Sequence, residues 1–175
     1  KTSLSDKISP LIPAIHIRSD VERMRFTQNL STQDRYSQKT TDKIYHHLTV
    51  MGQHIINAGF SVMVDATFLK QNYRQAWQEI AQQHNVPLTI LNLVATTKIL
   101  ETRIQNREQT NSDISEANVD VLALQLKNDE PLMPSELDYQ ITVDTETNLN
   151  IAALAKEIVH RSMSGAKTQS NATAS

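Results

Sequence analysis

Three features of the sequence predict an α/β fold with a mainly parallel sheet. Short apolar runs alternate with longer helical patterns along the chain, the order that builds βαβ units. One run, Leu88 to Val94, is near-continuously apolar apart from Asn92, as expected of a strand covered on both faces. The runs also end in polar residues: Asp20, Asp65 with Thr67, Thr96 with Thr97, and Asp144. In open parallel sheets the carboxyl ends of the strands are where ligands bind.

The elements follow in order. Leu4, Ile8 and Leu11 recur at helical spacing, and Pro10 and Pro13 end that segment. Ala14 to Ile17 is a short strand and Val21 to Asn29 a short helix, followed by a polar loop through Ser37. Thr40 to Ala58 is a long helix with the stripe Ile44, Leu48, Met51 and Ile55, stopped by Gly59. Phe60 to Val64 is the clearest strand. Lys70 to His84 is a helix with Tyr73, Trp77 and Ile80 on one face, read as core. After the Leu88 strand come helices over Thr97 to Arg107 and Glu116 to Lys127, with the polar stretch Glu108 to Ser115 between them. Pro131 and Pro134 mark a loop, Tyr139 to Val143 a strand, and Ile151, Leu154, Ala155 and Ile158 a last helix. The polar residues 162–175 read as a disordered tail, which leaves one domain over residues 1–161.

Composition excludes several function classes. The 175 residues carry 17 Lys+Arg and 19 Asp+Glu, a net charge of −2, so no basic nucleic-acid surface is indicated. Cysteine is absent, which excludes disulfides, thiolate metal sites and a Cys nucleophile. The six His residues show no i, i+4 pairing and no HExxH, and there is no G-x-S-x-G elbow. No apolar run approaches a membrane span and no signal peptide is visible, so a soluble cytoplasmic protein is expected.

Lys1-Thr2 stands directly before a helix, as the last two residues of a G-x-x-x-x-G-K-[ST] phosphate loop do. With it come Ile15 to Arg23 (IHIRSDVER), Tyr36-Ser37, Gly59 to Leu69 (GFSVMVDATFL), Arg103 and Arg107, Val121-Leu122 with Gln125, and Pro131-Leu132. Together these resemble the P-loop kinase-like proteins of the AAA-type ATPase group found fused behind aminoglycoside-phosphotransferase-like domains. Polynucleotide kinases, zeta toxins and gluconate kinases are more distant relatives. The resemblance implies a three-layer α/β/α sandwich of the P-loop NTPase kind. It also implies that the first strand and Gly-rich loop of that fold are missing ahead of Lys1, and that a further N-terminal domain is fused there.

It implies roles as well. Lys1 lies beside the β- and γ-phosphates of ATP, and the Thr2 hydroxyl ligates Mg²⁺. Asp20 is the base that takes the acceptor-hydroxyl proton, or alternatively a helix N-cap. Arg23, one turn on, binds the acceptor or the transferred phosphate, or forms a surface ion pair; Arg18 is a lesser candidate of the same kind. Asp65 is a Walker-B-like carboxylate for Mg²⁺, or caps the turn through Thr67. Thr67 binds the site or caps the next helix. Arg103 and Arg107 share a helix face before a lid and close on the phosphates, or form a solvated basic stripe. Gln125 faces the nucleotide or packs under the lid. The expected activity is transfer of the ATP γ-phosphoryl group to a hydroxyl of a small-molecule or polymer acceptor. The competing readings are a nucleotide-binding regulatory module without turnover and a truncated remnant.

Overall fold

A computed structural model describes residues 2–110 and 119–169. Lys1, most of the expected lid stretch and residues 170–175 lie outside the described residues, as does the side chain of Arg107. The elements are α1 (Thr2–Ile8), β1 (Ala14–Arg18), α2 (Ser19–Phe26), α3 (Thr32–Arg35), α4 (Gln38–Asn57), β2 (Ser61–Asp65), α5 (Gln71–Gln83), β3 (Ile90–Val94), α6 (Thr97–Thr110), α7 (Val119–Asn128), β4 (Gln140–Asp144) and α8 (Ile151–Gln169). Short 3₁₀ turns cover Ser9–Leu11 and Pro134–Tyr139. Among the described residues no helix is long and apolar enough to cross a membrane.

The chain divides into two compact units. The first comprises Lys1–Thr67, Gln75–Leu88 and Ile151–Ser175. In it β1 and β2 pair in parallel, from Ala14 with Ser61 to Arg18 with Asp65. Ile8, Ile17, Ile44, Leu48, Trp77, Ile80 and Leu154 are buried there. The α4 stripe read from the sequence is in place, with Ile44 and Leu48 buried and Met51 and Ile55 partly exposed. Helix α4 starts at Ser37, whose hydroxyl accepts from the Thr40 amide at 3.3 Å. It stops before Gly59, whose φ of +84° is the left-handed conformation that favours glycine. Gly52 provides the space for the Trp77 ring.

The second unit comprises Phe68–Arg74 and Thr89–Asn150. Here β3 and β4 pair in parallel, from Ile90 with Gln140 to Val94 with Asp144, with Ile141 and Val143 buried. Every strand pairing among the described residues is therefore parallel, as the alternating pattern predicts.

Some expectations need correction. The polar loop before Ser37 contains the helical turn α3. Helix α6 runs on through Thr110, three residues past the expected end at Arg107 and into the polar stretch. Helix α8 runs to Gln169 and so overlaps the first part of the tail expected from residue 162 onward. On α5 the core face is Trp77 and Ile80, while Tyr73 is only partly buried and its neighbour Arg74 is buried instead.

Candidate functional site

In the first unit the parallel pairing brings the ends of β1 and β2 side by side, with Arg18 opposite Asp65. Asp65 is 6% exposed. The Ser5 hydroxyl on α1 donates to its Oδ2 at 2.7 Å, while also lying 3.0 Å from the Thr2 carbonyl. A hydroxyl has a single proton, and the shorter contact to a carboxylate is the stronger partner. Thr2, Ser5 and Asp65 thus form one corner of the site.

The strand-to-helix turn after β1 supplies the other corner. Arg18 is extended at φ −129° and ψ 126°, and α2 starts at the next residue without a side-chain cap. Asp20 is the second residue of α2, so it is not the N-cap. Its Oδ1 accepts from the Val21 amide at 2.8 Å. The Arg18 guanidinium grips the same carboxylate with two bonds, Nε to Oδ1 at 3.2 Å and Nη2 to Oδ2 at 2.9 Å. Asp6 of α1 lies 3.9 Å from Arg18 Nη1. The hydrogen bond to Asp20 raises the Arg18 pKa above its ordinary value. Partial burial opposes this, and the charges of Asp20, Asp6 and Asp65 add to it. Three carboxylates from α1, α2 and β2 therefore face one guanidinium at the strand ends.

Thr2, Asp20 and Asp65 belong to this unit, and Lys1 lies outside the described residues. Ser5 and Asp6 escaped the sequence reading. Helical spacing carried the signal, since they stand at i+3 and i+4 from Thr2 and share its face.

Other candidates have different partners. Arg23 Nη1 donates to the Arg35 carbonyl at 2.8 Å and the Thr41 hydroxyl at 3.3 Å, with its guanidinium 5.2 Å over the Tyr36 ring. Thr67 does not cap α5, which starts four residues later; its hydroxyl is 3.1 Å from that of Tyr45 on α4. Arg103 belongs to the second unit. It donates to the Thr145 hydroxyl at 2.9 Å and to the Thr145 carbonyl at 2.5 Å. Arg107 lies on α6 a turn further on. Gln125 is partly buried on α7.

Three buried charged groups, Glu22, Arg74 and Glu136, were missed altogether. Glu22 on α2 is 5% exposed. It accepts from Arg25 at 2.6 Å and lies 3.4 Å from His47 Nε2. In the second unit Glu136, 1% exposed, takes two bonds from Arg74, at 2.7 and 3.1 Å, and one from the Met133 amide at 2.8 Å. Burial pushes the Glu136 carboxyl up, but the Arg74 and Met133 hydrogen bonds and the Arg74 charge together hold it below the ordinary value.

Among the described residues no group of three or more His, Cys, Asp or Glu is placed to hold a metal ion. The oxygen donors around Asp65 suit Mg²⁺, which is commonly held by one or two carboxylates together with substrate phosphates.

Comparison with known proteins places the chain. A family model described as AAA domain matches residues 1–132. Among solved structures, a candidate kinase from Chloroflexus aurantiacus J-10-fl is similar at a TM-score of 0.74 and 18% identity, covering 94% of this chain and 90% of that one. An unliganded sugar kinase from Janibacter sp. HTCC2649 has a TM-score of 0.65 at 17% identity, covering 94% and 90%. A gluconokinase from Sinorhizobium meliloti 1021 has a TM-score of 0.57 at 18% identity, covering 96% and 85%. At such identities the likeness is one of fold. A comparison with curated proteins returned no match.

Proposed function

Since the chain belongs to the AAA domain family, here with a P-loop kinase-like fold, we propose that it serves as an ATP-dependent phosphotransferase acting on an acceptor hydroxyl. The observation that carries this reading is the meeting of α1, β1 and β2 in one unit. It brings Asp20, Asp65 and the helix that starts with Thr2 to the ends of two paired parallel strands.

The acceptor hydroxyl oxygen forms a bond to the γ-phosphorus of ATP. The bond from that phosphorus to the β,γ-bridging oxygen breaks, and its electron pair leaves with ADP. The hydroxyl proton passes to the Asp20 carboxylate. Asp65 and the Thr2 hydroxyl would hold Mg²⁺, with Ser5 fixing the Asp65 carboxylate. Bound there, Mg²⁺ supplies neutralisation of phosphate charge. Lys1 takes the β- and γ-phosphates, and Arg103 and Arg107 neutralise charge from the lid. The acceptor lies against α2, α3 and α4, where Met24, Phe26, Leu30 and Tyr36 offer exposed apolar surface. Arg23 braces that face.

Measuring Mg²⁺-ATP binding by calorimetry and ADP formation in the presence of small-molecule hydroxyl acceptors tests these assignments together. Asp20→Asn should abolish turnover and leave binding nearly intact, because a base acts on the acceptor. Asp65→Asn should weaken Mg²⁺-dependent binding. Equal loss of binding in both variants would refute the division of roles. The protein partners of Arg23 and Arg103 favour one second reading, a nucleotide-binding module without turnover. Tight ATP binding with no ADP formation, with water or any hydroxyl acceptor tried, would select it.

A further inference from the structure

The assignment of Asp20 leaves open what holds its carboxylate in a reactive orientation, and the turn after β1 answers from geometry. A carboxylate on a helix surface rotates about two side-chain bonds. For Asp20 three hydrogen bonds remove that freedom. Two come from the Arg18 fork, at 3.2 and 2.9 Å, and one from the Val21 amide at 2.8 Å. We propose that Arg18 is the positioning residue of Asp20, its planar fork setting the plane in which that carboxylate meets an acceptor hydroxyl.

Two features make this more than a surface ion pair. Exposed pairs contribute little because two long, mobile side chains must be ordered together. Here both side chains are about four-fifths covered, at 21% and 22% exposure. The backbone of Arg18 is the last rung of the β1–β2 ladder, opposite Asp65, so the fork starts from a fixed point. The competing carboxylate, Asp6, is 57% exposed and sits 3.9 Å from Nη1, beyond hydrogen-bond length. Parallel bidentate bonds to a planar carboxylate are what a guanidinium provides and an ammonium does not. The inference rests on the reading of Asp20 as the base. In that reading Arg18 touches neither substrate nor reacting atoms and acts through Asp20.

The test has two arms on the full chain. The first is independent of activity and follows the Arg18 Nε–Hε signal by ¹H–¹⁵N NMR. Its exchange with water should be about tenfold slower than that of the more exposed Arg161, and Asp20→Asn should remove the protection. Unchanged exchange in Asp20→Asn would overturn the proposal. The second arm measures ADP formation from Mg²⁺-ATP, with small-molecule hydroxyl acceptors present. A misplacement of about 1 Å can cost a factor of ~10², so Arg18→Gln should lower kcat 10- to 100-fold with KM for ATP within about twofold. Arg18→Lys, which keeps the charge and loses the fork, should recover only part of the rate, and it serves also if Arg18→Gln fails to fold. Full turnover in both variants beside an inactive Asp20→Asn overturns positioning. If the NMR pairing holds while Asp20→Asn keeps its turnover, or the unaltered chain forms no ADP, the functional reading fails and the NMR arm alone decides the pairing.

Discussion

Replacing Arg74 with Met should destabilise the second unit by several kcal/mol, and the structure fixes the scale. The Arg74 guanidinium donates to both oxygens of Glu136, at 2.7 and 3.1 Å. It also donates to the carbonyls of Phe68, Glu130 and Pro131, at 2.9, 3.0 and 3.1 Å. With Met in its place, Glu136 keeps only the Met133 amide at 2.8 Å among these bonds, while 1% exposed. Removing one partner of a buried pair costs about 3–5 kcal/mol, because a charge is left buried without compensation. Total domain stability is typically only ~5–15 kcal/mol. The double variant Arg74→Met/Glu136→Leu removes both charges and should lose less than the single one, leaving roughly 1–2 kcal/mol for the freed carbonyls. Native-state hydrogen exchange at the ladder amides of Asn92, Val94, Ile141 and Val143 reads this unit directly. A single variant that loses under about 1 kcal/mol, or a double variant that loses the sum of both singles, would refute the reasoning. Acid adds a second arm. The folded-state pKa of Glu136 is depressed, so its contribution is fully present above the unfolded value, about 4.3. It is lost as pH falls from there through the folded pKa. Glu136→Gln should flatten that part of the acid-unfolding curve.

Other outcomes follow from single residues. A Cβ on Gly52 would lie 2.3 and 2.5 Å from Cη2 and Cζ3 of the buried Trp77 ring. Overpacking of ~1–3 kcal/mol should outweigh the helix-propensity gain of ~1 kcal/mol, so Gly52→Ala should lower Tm by calorimetry, and a raised Tm would contradict the packing. If Arg107 closes on the phosphates only in the transition state, Arg107→Ala should lower kcat for ADP formation ~10³-fold with little change in KM; wild-type turnover would remove the lid assignment. Arg103→Ala should affect kcat less and act through the loss of its bonds to Thr145; an equal fall in kcat with unchanged Tm would reverse that order.

Local pattern alone marked the strands, the long α4 with its Ile44 and Leu48 stripe, the stop at Gly59, and Asp20 and Asp65 near the strand ends. Those features depend on the 3.6- and 2-residue periods and on turn chemistry, and both are written in neighbouring residues. The partners of those residues were another matter. Ser5 meets Asp65 across 60 residues and Arg74 meets Glu136 across 62, and no periodicity relates such positions. The family resemblance implies an acceptor or phosphate role for Arg23, which spacing alone only puts on the same helix face as Asp20. The folded chain gives Arg23 the Arg35 carbonyl, the Thr41 hydroxyl and the Tyr36 ring, and only the packing of α2 on α4 puts them within reach. Arg74 was hidden for the same reason: charged side chains are expected in water unless paired. Sequence records which groups can ionise or donate, but burial and pairing are set when distant segments close on one another, and only tertiary structure holds those distances.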